Sequence, residues 1–426
     1  MTNKKIRIAW FSSDSNFQDS FSVSYWFTKQ IYSFLTENFE VDFYSKQDIE
    51  KEGIKFTNYR KARVNHKTNP YDLFFYNLED NDELSFIRMH IVQIPGIVYF
   101  HDFIHSNYGP IPMVNSAWHL NCENYNQSKF ISYERLDEKY QKIPHAHRES
   151  AYSLISLLSS AAFNVDFSNV IKDQIKFNTD KRNIYFPTAA SEKFYNIKPK
   201  ENELLNIAFS GCSQFDSRSH KFLPVLEKFN DKIMFHWMLD KKFEGHANKL
   251  LSENNITNFK IYNSKSENTW YDILLESDLV LHTKFSFYKN ISPFLEMSLA
   301  AGKYIITNNF HFADYIPETA AFKVNVGSKE SLEYDSIINK FINIKKIGTN
   351  IVAREFAQSF YNKDINFNFL KNLIIKNLDS FKKHNALWAD FEKQASQSLL
   401  NEMKSYVGNI GLDIIDPIFK EFDWNE

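Results

Sequence analysis

Short apolar runs alternate with longer amphipathic stretches along the first half of the chain. The apolar runs are typical of buried strands, and the stretches between them have the periodicity of helices, most clearly at Val23–Thr36. The strand-type runs are Ile6–Phe11, Glu40–Tyr44, Tyr71–Tyr76 and Ile97–Phe100. Strands that alternate with helices predict a parallel sheet with helices on both faces, the doubly wound arrangement of an α/β protein.

The same alternation returns in the second half. The strand-type runs there are Leu204–Ser210, Lys232–Leu239, Phe259–Tyr262, Asp278–His282, Lys303–Thr307 and Ala320–Val326. Between the halves, Ala189–Asn206 carries Pro199 among Lys, Glu and Asn, which is the composition of a linker. We therefore predict two doubly wound Rossmann-like domains, residues 1–190 and 191–380, that face each other across a cleft. Residues 381–426 are predicted to form a helical tail that packs back on the first domain.

One stretch of the second half, Asp278–Asn309, predicts a phosphate site. Between its two strands the pattern predicts a helix that Ser292 caps, Pro293 begins and Gly302 ends. The N–H groups and the dipole of such a helix start favour an anion. Glu296 in the first turn is expected to face the same crevice, where a phosphate-bearing ligand with hydroxyl groups would fit.

Length, charge and cysteine content narrow the class of protein. At 426 residues the chain exceeds one ordinary core, which agrees with two domains. The 50 basic and 52 acidic residues give a net charge of −2, so nucleic acid is not an expected partner. Cys122 and Cys212 are the only cysteines and lack the spacing of metal ligands. No signal peptide or transmembrane run is evident, and we expect a cytoplasmic protein.

Three patches, taken in order, resemble the GT-B glycosyltransferases of family 4. Pro70–His105 has a "D-hydrophobic-Y" strand, a helix and then PGIVYFHD, which is similar to the family's "PG-hydrophobic-HD". Ile207–Phe229 resembles the family's strand, loop and basic helix start, and LEMSLAAGKYI within Asp278–Asn309 resembles its donor-binding helix and following strand. The resemblance implies the GT-B fold and retaining transfer of a sugar from a nucleotide diphosphate.

The donor site that the resemblance implies lies in the second half. Glu296 matches the second Glu of the family's E-x7-E motif, which is expected on the ribose hydroxyls, whereas the first Glu is replaced by Tyr288. The implied donor-binding set is Gly211, Ser213, Tyr288, Ser292, Phe294, Leu295 and Glu296. Backbone amides at Phe294 and Leu295 are expected to reach the diphosphate.

The catalytic residues that the resemblance implies are His101, Arg218 and Lys221. His101 follows the fourth strand, where the family places a His beside the reacting sugar; a strand-end His bonded only to backbone is the alternative. The family's Arg falls on Cys212, and its Lys on Arg218 or Lys221, either of which would offset the charge of the leaving diphosphate. An ordinary solvated basic pair is the alternative for these two.

The acceptor side is expected in the loop after the first strand. Asp14, Ser15, Asn16 and Asp19 are the candidate acceptor-binding residues, because their side chains can hydrogen-bond sugar hydroxyls. A polar loop with a helix cap is an equally good interpretation.

The resemblance thus implies a retaining glycosyltransferase that moves a hexose from a nucleotide diphosphate-sugar to a glycan, lipid-linked sugar or protein acceptor, in bacterial surface polysaccharide biosynthesis. No metal and no cofactor are expected beyond the nucleotide-sugar substrate. Peripheral membrane contact and homo-oligomerisation through the tail remain open. The rival hypotheses are a catalytically degenerate binding protein of the same fold and an epimerase or phosphorylase on the same scaffold.

Overall fold

The fold is that of a computed structural model, which describes a large part of the chain in several separate ranges. The described residues are 5–14, 22–79, 84, 86–87, 90, 94, 96–101, 163–166, 183–185, 187–211, 217–263, 266–283, 292–309, 313, 316–344, 346–383 and 386. They form two mostly parallel sheets with helices packed against them.

The first sheet has eight strands in the order β3-β4-β2-β1-β5-β6-β7-β8. The strands are β1 (Arg7–Phe11), β2 (Glu40–Ser45), β3 (Ile49–Lys51), β4 (Ile54–Asn58), β5 (Leu73–Leu78), β6 (Ile97–Phe100), β7 (Phe163–Asp166) and β8 (Asn183–Tyr185). All neighbours run parallel except the edge pair β3 and β4, which is antiparallel. The carboxyl ends of β1, β5 and β6 therefore meet at one edge.

The second sheet has six strands, all parallel, in the order β11-β10-β9-β12-β13-β14. They are β9 (Leu205–Ser210), β10 (Ile233–Met238), β11 (Phe259–Tyr262), β12 (Leu279–His282), β13 (Tyr304–Asn308) and β14 (Phe322–Val324). The order changes direction between β9 and β12, and such a switch point is where doubly wound sheets bind ligands.

The described helices lie between the strands and after the second sheet. They are α1 (Val23–Asn38), α2 (Lys61–Thr68), α3 (Glu192–Tyr195), α4 (Ser219–Glu227), α5 (Glu244–Glu253), α6 (Glu267–Glu276), α7 (Pro293–Ala300), α8 (Glu330–Ile342), α9 (Ile351–Phe360) and α10 (residues 363–383). A short 3-10 turn at Lys241–Phe243 precedes α5.

Apolar side chains on both faces explain why the central strands form. All five residues of β1 and all six of β5 are buried, as expected for strands covered by helices on both sides. Trp10 and Phe75 stack across these two strands with ring centroids 4.0 Å apart. The Trp10 indole N–H also donates to the Thr28 hydroxyl of α1 at 3.0 Å, which fixes that helix on the sheet.

One segment of the first domain differs from the expectation. The basic composition of Arg60–Lys67 predicts an irregular stretch, but the structure forms α2 at Lys61–Thr68, and the strands β3 and β4 precede it. Ala62 is the one buried residue of α2, so the helix has almost no apolar stripe from which periodicity could predict it.

Helix α10 returns to the first domain after the second sheet is complete. The Lys371 ammonium donates to Asn38 Oδ1 at 2.6 Å, at the end of α1. Further along, Lys382 forms an ion pair with Asp72 at 2.8 Å, before β5. These contacts join the end of the described chain to its beginning. Most of the predicted tail, residues 387–426, lies outside the described residues.

Candidate functional site

The site is built around α7, the helix after β12. All eight of its residues are buried, and Pro293 stands at its first position as expected. Ser292 was expected to cap the helix, but its side chain makes no capping hydrogen bond. Its carbonyl instead accepts from the Leu295 N–H at 2.8 Å, which occupies one amide that the sequence assigned to a phosphate. Gly302 ends the unit at φ +64°, in the left-handed region that favours glycine.

Glu296 of α7 is 1% exposed and contacts the segment that links the two domains. The hydroxyl of Thr188, itself buried in that segment, donates to Glu296 Oε2. Burial raises the pKa of Glu296 to about 8, and the hydrogen bond from Thr188 offsets part of this rise. The carboxyl group is therefore largely protonated at neutral pH, with Oε1 as the atom left for a ligand hydroxyl.

The segment around Thr188, between β8 and β9, is held by α10 and α1. Its carbonyl accepts from Asn366 Nδ2 of α10 at 3.0 Å, and the neighbouring Ala189 carbonyl accepts from Gln30 Nε2 of α1 at 3.0 Å. The group that bears on Glu296 is thus anchored to elements before and after the second sheet. Neither Thr188 nor Asn366 carries a motif, so sequence reasoning had no signal for them.

Arg218 was predicted to face the donor, and the structure places it inside the second domain. Its side chain is 0% exposed, at the N-cap of α4 with φ +55°. Its guanidinium forms a buried ion pair with Glu330, with Nε 3.1 Å from Oε1. Asn308 Nδ2 and the Tyr334 hydroxyl donate to the same Oε1 at 3.0 and 3.1 Å. In this arrangement the charge of Arg218 is balanced by Glu330.

Lys221 and Gly211 flank the same sheet edge. Lys221 lies in the first turn of α4 and is half-buried, with its carbonyl accepting from the Ser331 hydroxyl at 2.9 Å. Gly211 follows β9, and its carbonyl accepts from the Trp237 indole N–H at 3.0 Å. A side chain at Gly211 would have its Cβ 2.9 Å from the Phe209 ring, so a larger residue would force that buried ring to shift. Cys212, Ser213 and Tyr288 lie outside the described residues.

His101 lies at the end of β6, at the carboxyl edge of the first sheet, and is 2% exposed. Its Nε2 is 3.3 Å from Asn77 Oδ1 on the neighbouring strand. Edge-on contacts with Tyr99 and Phe27, at centroid distances of 4.6 and 5.7 Å, hold the ring. His101 is thus hydrogen-bonded to the Asn77 side chain at the carboxyl edge of the first sheet. Neither interpretation of His101 from the sequence included this bond.

Asp14 follows β1 at the same edge, where it accepts a hydrogen bond from the Ser45 hydroxyl at 3.0 Å. The other acceptor candidates Ser15, Asn16 and Asp19 lie outside the described residues.

The carboxylate of Glu79 occupies the start of α1. It accepts from the Ser22 hydroxyl at 2.8 Å and from the N–H groups of Val23 and Ser24 at 3.2 and 3.1 Å. Sequence reasoning missed this residue, although an acidic residue directly after a buried strand is a signal that points to the carboxyl edge. At the start of α1, the place at a helix end that favours an anion is therefore already occupied by a carboxylate of the protein itself.

The structure thus gathers the candidates at two sheet edges. His101, Asp14 and Glu79 lie at the carboxyl ends of first-sheet strands, and Gly211 and the start of α4 lie at those of the second sheet. Within the described ranges, no group of three or more His, Cys, Asp or Glu side chains is placed to hold a metal ion.

A cavity of about 320 Å³ lies away from these edges. Its lining includes Asn202, Asp231 and Lys232, which precede strands of the second sheet, and Glu201 and Lys346, which form an ion pair at its rim. It therefore opens at the amino ends of the strands. Since doubly wound sheets bind their ligands at the carboxyl ends, this cavity is not part of the candidate site.

Solved structures with the same arrangement cover most of the chain. Sucrose-phosphate synthase from Thermosynechococcus elongatus superposes with a TM-score of 0.65 at 11% identity, over 88% of this chain and 100% of that one. Alr3699/HepE of Anabaena, in complex with UDP-glucose, gives 0.62 at 11% identity over 87% of this chain and all of its own. WaaG, a glycosyltransferase involved in lipopolysaccharide biosynthesis, superposes with a TM-score of 0.55 at 12% identity, over 86% of this chain and 99% of its own.

These likenesses define the fold as GT-B, and they confirm the predicted pair of Rossmann-like domains and the resemblance to GT-B glycosyltransferases at the level of fold. No protein family and no curated protein matches the chain by sequence. In the part of the chain that the structure describes, no helix is both long and apolar enough to cross a membrane.

Proposed function

We propose that the protein is a glycosyltransferase that uses a nucleotide diphosphate-sugar as donor. The observation that carries the proposal is Glu296, a buried carboxyl near the start of α7, at the place where the resembling family binds the donor ribose. The GT-B fold supports it, as does the UDP-glucose bound by the similar protein of Anabaena. A uridine diphosphate-sugar is accordingly the first donor to test.

In this proposal each described residue has a separate task. Glu296 holds the ribose hydroxyls through Oε1 while Thr188 holds Oε2. The start of α7 lies against the diphosphate with its positive dipole end. Lys221 is the cation for the leaving group, because the charge of Arg218 is balanced by Glu330. His101, held by Asn77, contacts the reacting sugar.

The finer parts of the proposal follow the resemblance. The reaction is transfer of a hexose with retention, without a metal or other cofactor, to a glycan, a lipid-linked sugar or a protein. Bacterial surface polysaccharide assembly is the proposed setting, and the role of the similar WaaG in lipopolysaccharide biosynthesis supports it. We place the reaction in the cytoplasm. Residues 381–426 would contact either the inner face of the membrane or a second copy of the chain.

A thermal-shift screen against UDP, GDP, ADP and CDP, followed by hydrolysis assays with the matching nucleotide-sugars, tests the proposal. We expect one nucleoside diphosphate to raise Tm, because a ligand that binds only the folded state stabilises it in proportion to occupancy. Glu296→Ala should abolish that shift, and Lys221→Ala should lower turnover about 100-fold, the order found when one charge-stabilising donor is removed. Full activity of Glu296→Ala would overturn the site.

A catalytically degenerate binding protein is the second candidate. The pairing of Arg218 with Glu330 favours it. Since Cys212 stands in place of the family's Arg, Lys221 is then the one remaining candidate cation for the diphosphate, where the resembling family has two. Nucleotide binding without turnover of any nucleotide-sugar would select this candidate over the transferase. Turnover with a matched donor would exclude it.

A further inference from the structure

Asn77 is a fully buried amide that connects three strands at the carboxyl edge of the first sheet. It lies near the end of β5, between β1 and β6 in the sheet order. Its Nδ2 donates to the Phe11 carbonyl of β1 at 3.0 Å. Its Oδ1 lies 3.3 Å from His101 Nε2, directly after β6.

The partners of Asn77 determine which way round its amide lies. The Phe11 carbonyl oxygen only accepts hydrogen bonds, so the NH₂ group must face it and the amide oxygen must face His101. That oxygen also only accepts, and therefore His101 Nε2 carries the proton of this bond. In the neutral ring Nδ1 then has a lone pair, and the ring is an acceptor at that atom.

The surroundings keep the ring in this orientation. Tyr99 and Phe27 contact it edge-on, with interplanar angles of 67° and 63°. The His101 backbone N–H donates to the Leu78 carbonyl at 2.7 Å, which fixes the start of the side chain beside β5. Both the position of the imidazole and its protonated nitrogen are thus set by the fold.

We propose that Asn77 is a positioning residue that holds His101 as the Nε2-protonated tautomer and so fixes the orientation in which the ring meets the reacting sugar. The part of the proposal that concerns the sugar rests on the proposed transferase function. The part that concerns the tautomer does not.

The second domain contains a matched reference. His236 Nε2 lies 2.7 Å from Asn206 Oδ1, and Asn206 Nδ2 donates to the Leu204 carbonyl at 2.9 Å, which repeats the arrangement of Asn77. The Tyr262 hydroxyl, 2.9 Å from His236 Nδ1, is the donor that this tautomer requires. Asn206 lies near the amino end of β9, away from the candidate site.

Two-bond ¹H–¹⁵N correlation spectra distinguish the tautomers, because protonated and unprotonated ring nitrogens differ strongly in ¹⁵N shift. The chain has 13 histidines, so the signals of protein labelled with ¹⁵N-histidine are assigned with His101→Gln and His236→Gln. At pH 8, above the ordinary imidazole range, we expect Nε2–H for both residues. Asn77→Leu should give a mixture of Nε2–H and Nδ1–H forms at His101 and leave His236 unchanged. Asn206→Leu should do the same at His236 and leave His101 unchanged.

Turnover supplies the second measurement. Asn77→Leu should lower kcat about tenfold, the order of one hydrogen bond, with the KM for the donor nearly unchanged. Asn77→Asp keeps an oxygen toward Nε2, so it should retain the Nε2–H signal and recover part of kcat. Asn206→Leu should leave kcat of the folded fraction unchanged, which separates positioning from general destabilisation.

Each outcome decides the proposal. An Nδ1-protonated or mixed His101 in the wild-type protein would overturn it, and so would a tautomer that is the same in Asn77→Leu. A released tautomer with unchanged kcat would overturn the positioning role. If the wild-type chain turns over no donor, the proposed function fails, whereas the spectra still decide whether Asn77 fixes the ring.

Discussion

At the scale of the residue, two buried carboxyl groups in the second domain are predicted to affect stability in opposite ways. Burial raises the pKa of Glu296 to about 8, so between pH 4.5 and 8 the folded protein binds more protons than the unfolded chain at this group. The contribution of Glu296 to the free energy of unfolding is therefore fully present below about pH 4.5 and is lost as the pH rises through 8. Glu296→Gln should match the wild-type Tm at pH 5 and exceed it by at least ~2 °C at pH 9.

Glu330→Gln is the matched control, because Glu330 is equally buried but is paired with Arg218. Loss of its charge leaves the guanidinium buried without its counter-ion, and we expect a loss of about 3 kcal/mol in the free energy of unfolding at pH 7. Urea denaturation at pH 5, 7 and 9 measures both variants. A Glu296→Gln curve that runs parallel to the wild type across this range would contradict the buried, protonated state of Glu296.

Sequence reasoning singled out Glu296 and Arg218 as candidates, but it did not predict their partners. Glu296 was singled out by its place after Pro293 at a predicted helix start, and Arg218 by the resemblance to the GT-B family. Their partners Thr188 and Glu330 lie 108 and 112 residues away along the chain, and no local pattern links them. The position of a side chain on an element follows from periodicity, whereas its charge state depends on tertiary contacts.

At the scale of the element, the start of α1 depends on a carboxylate from outside the helix. Ser22 caps the helix by accepting from the Tyr25 N–H at 3.1 Å, and Glu79 binds the Ser22 hydroxyl and two further N–H groups. We expect Ser22→Ala and Glu79→Gln each to cost about 1 kcal/mol, as is usual for a helix cap. The double variant should cost less than the sum, because the two side chains share one hydrogen-bond network.

Urea denaturation of the two single variants and the double variant gives the coupling energy. Ser266→Ala removes a similar cap at the start of α6, where Ser266 accepts from the Thr269 N–H at 3.1 Å, and its effect should add to that of Glu79→Gln. Strict additivity of Ser22→Ala and Glu79→Gln would show that Glu79 does not act through the cap.

The helices of the first domain show where hydrophobic periodicity was sufficient to predict an element. Helix α1 carries buried residues throughout its length and was predicted with the correct start, whereas α2 has one buried residue and was missed. The strands β3 and β4 have three and five residues and lie at the sheet edge, where an apolar run is not required. Burial on folding, rather than helix or strand formation as such, is the property that the pattern records.

At the scale of the whole molecule, one hydrophobic cluster extends across both domains. Trp26 of α1 and Trp270 of α6 meet edge-on with centroids 6.0 Å apart, and Trp270 in turn contacts Phe294 of α7. Because the sheets share this cluster, we expect the two domains to unfold in a single calorimetric transition. Trp26→Ala removes apolar contact on the first-domain side, so it should split or broaden that transition.

Trp10→Phe is the control for the calorimetric experiment, since Trp10 is equally large and buried but packs against Phe75 within the first sheet. It should lower Tm by a few degrees, as expected for a core substitution, without separating the domains. A saturating nucleoside diphosphate should raise the Tm of both transitions of Trp26→Ala if its binding site requires both domains. It should raise only the Tm of the second-domain transition if α7 alone binds it. Two resolved transitions in the wild-type protein would contradict the shared cluster, because domains that are packed through common buried side chains lose them together.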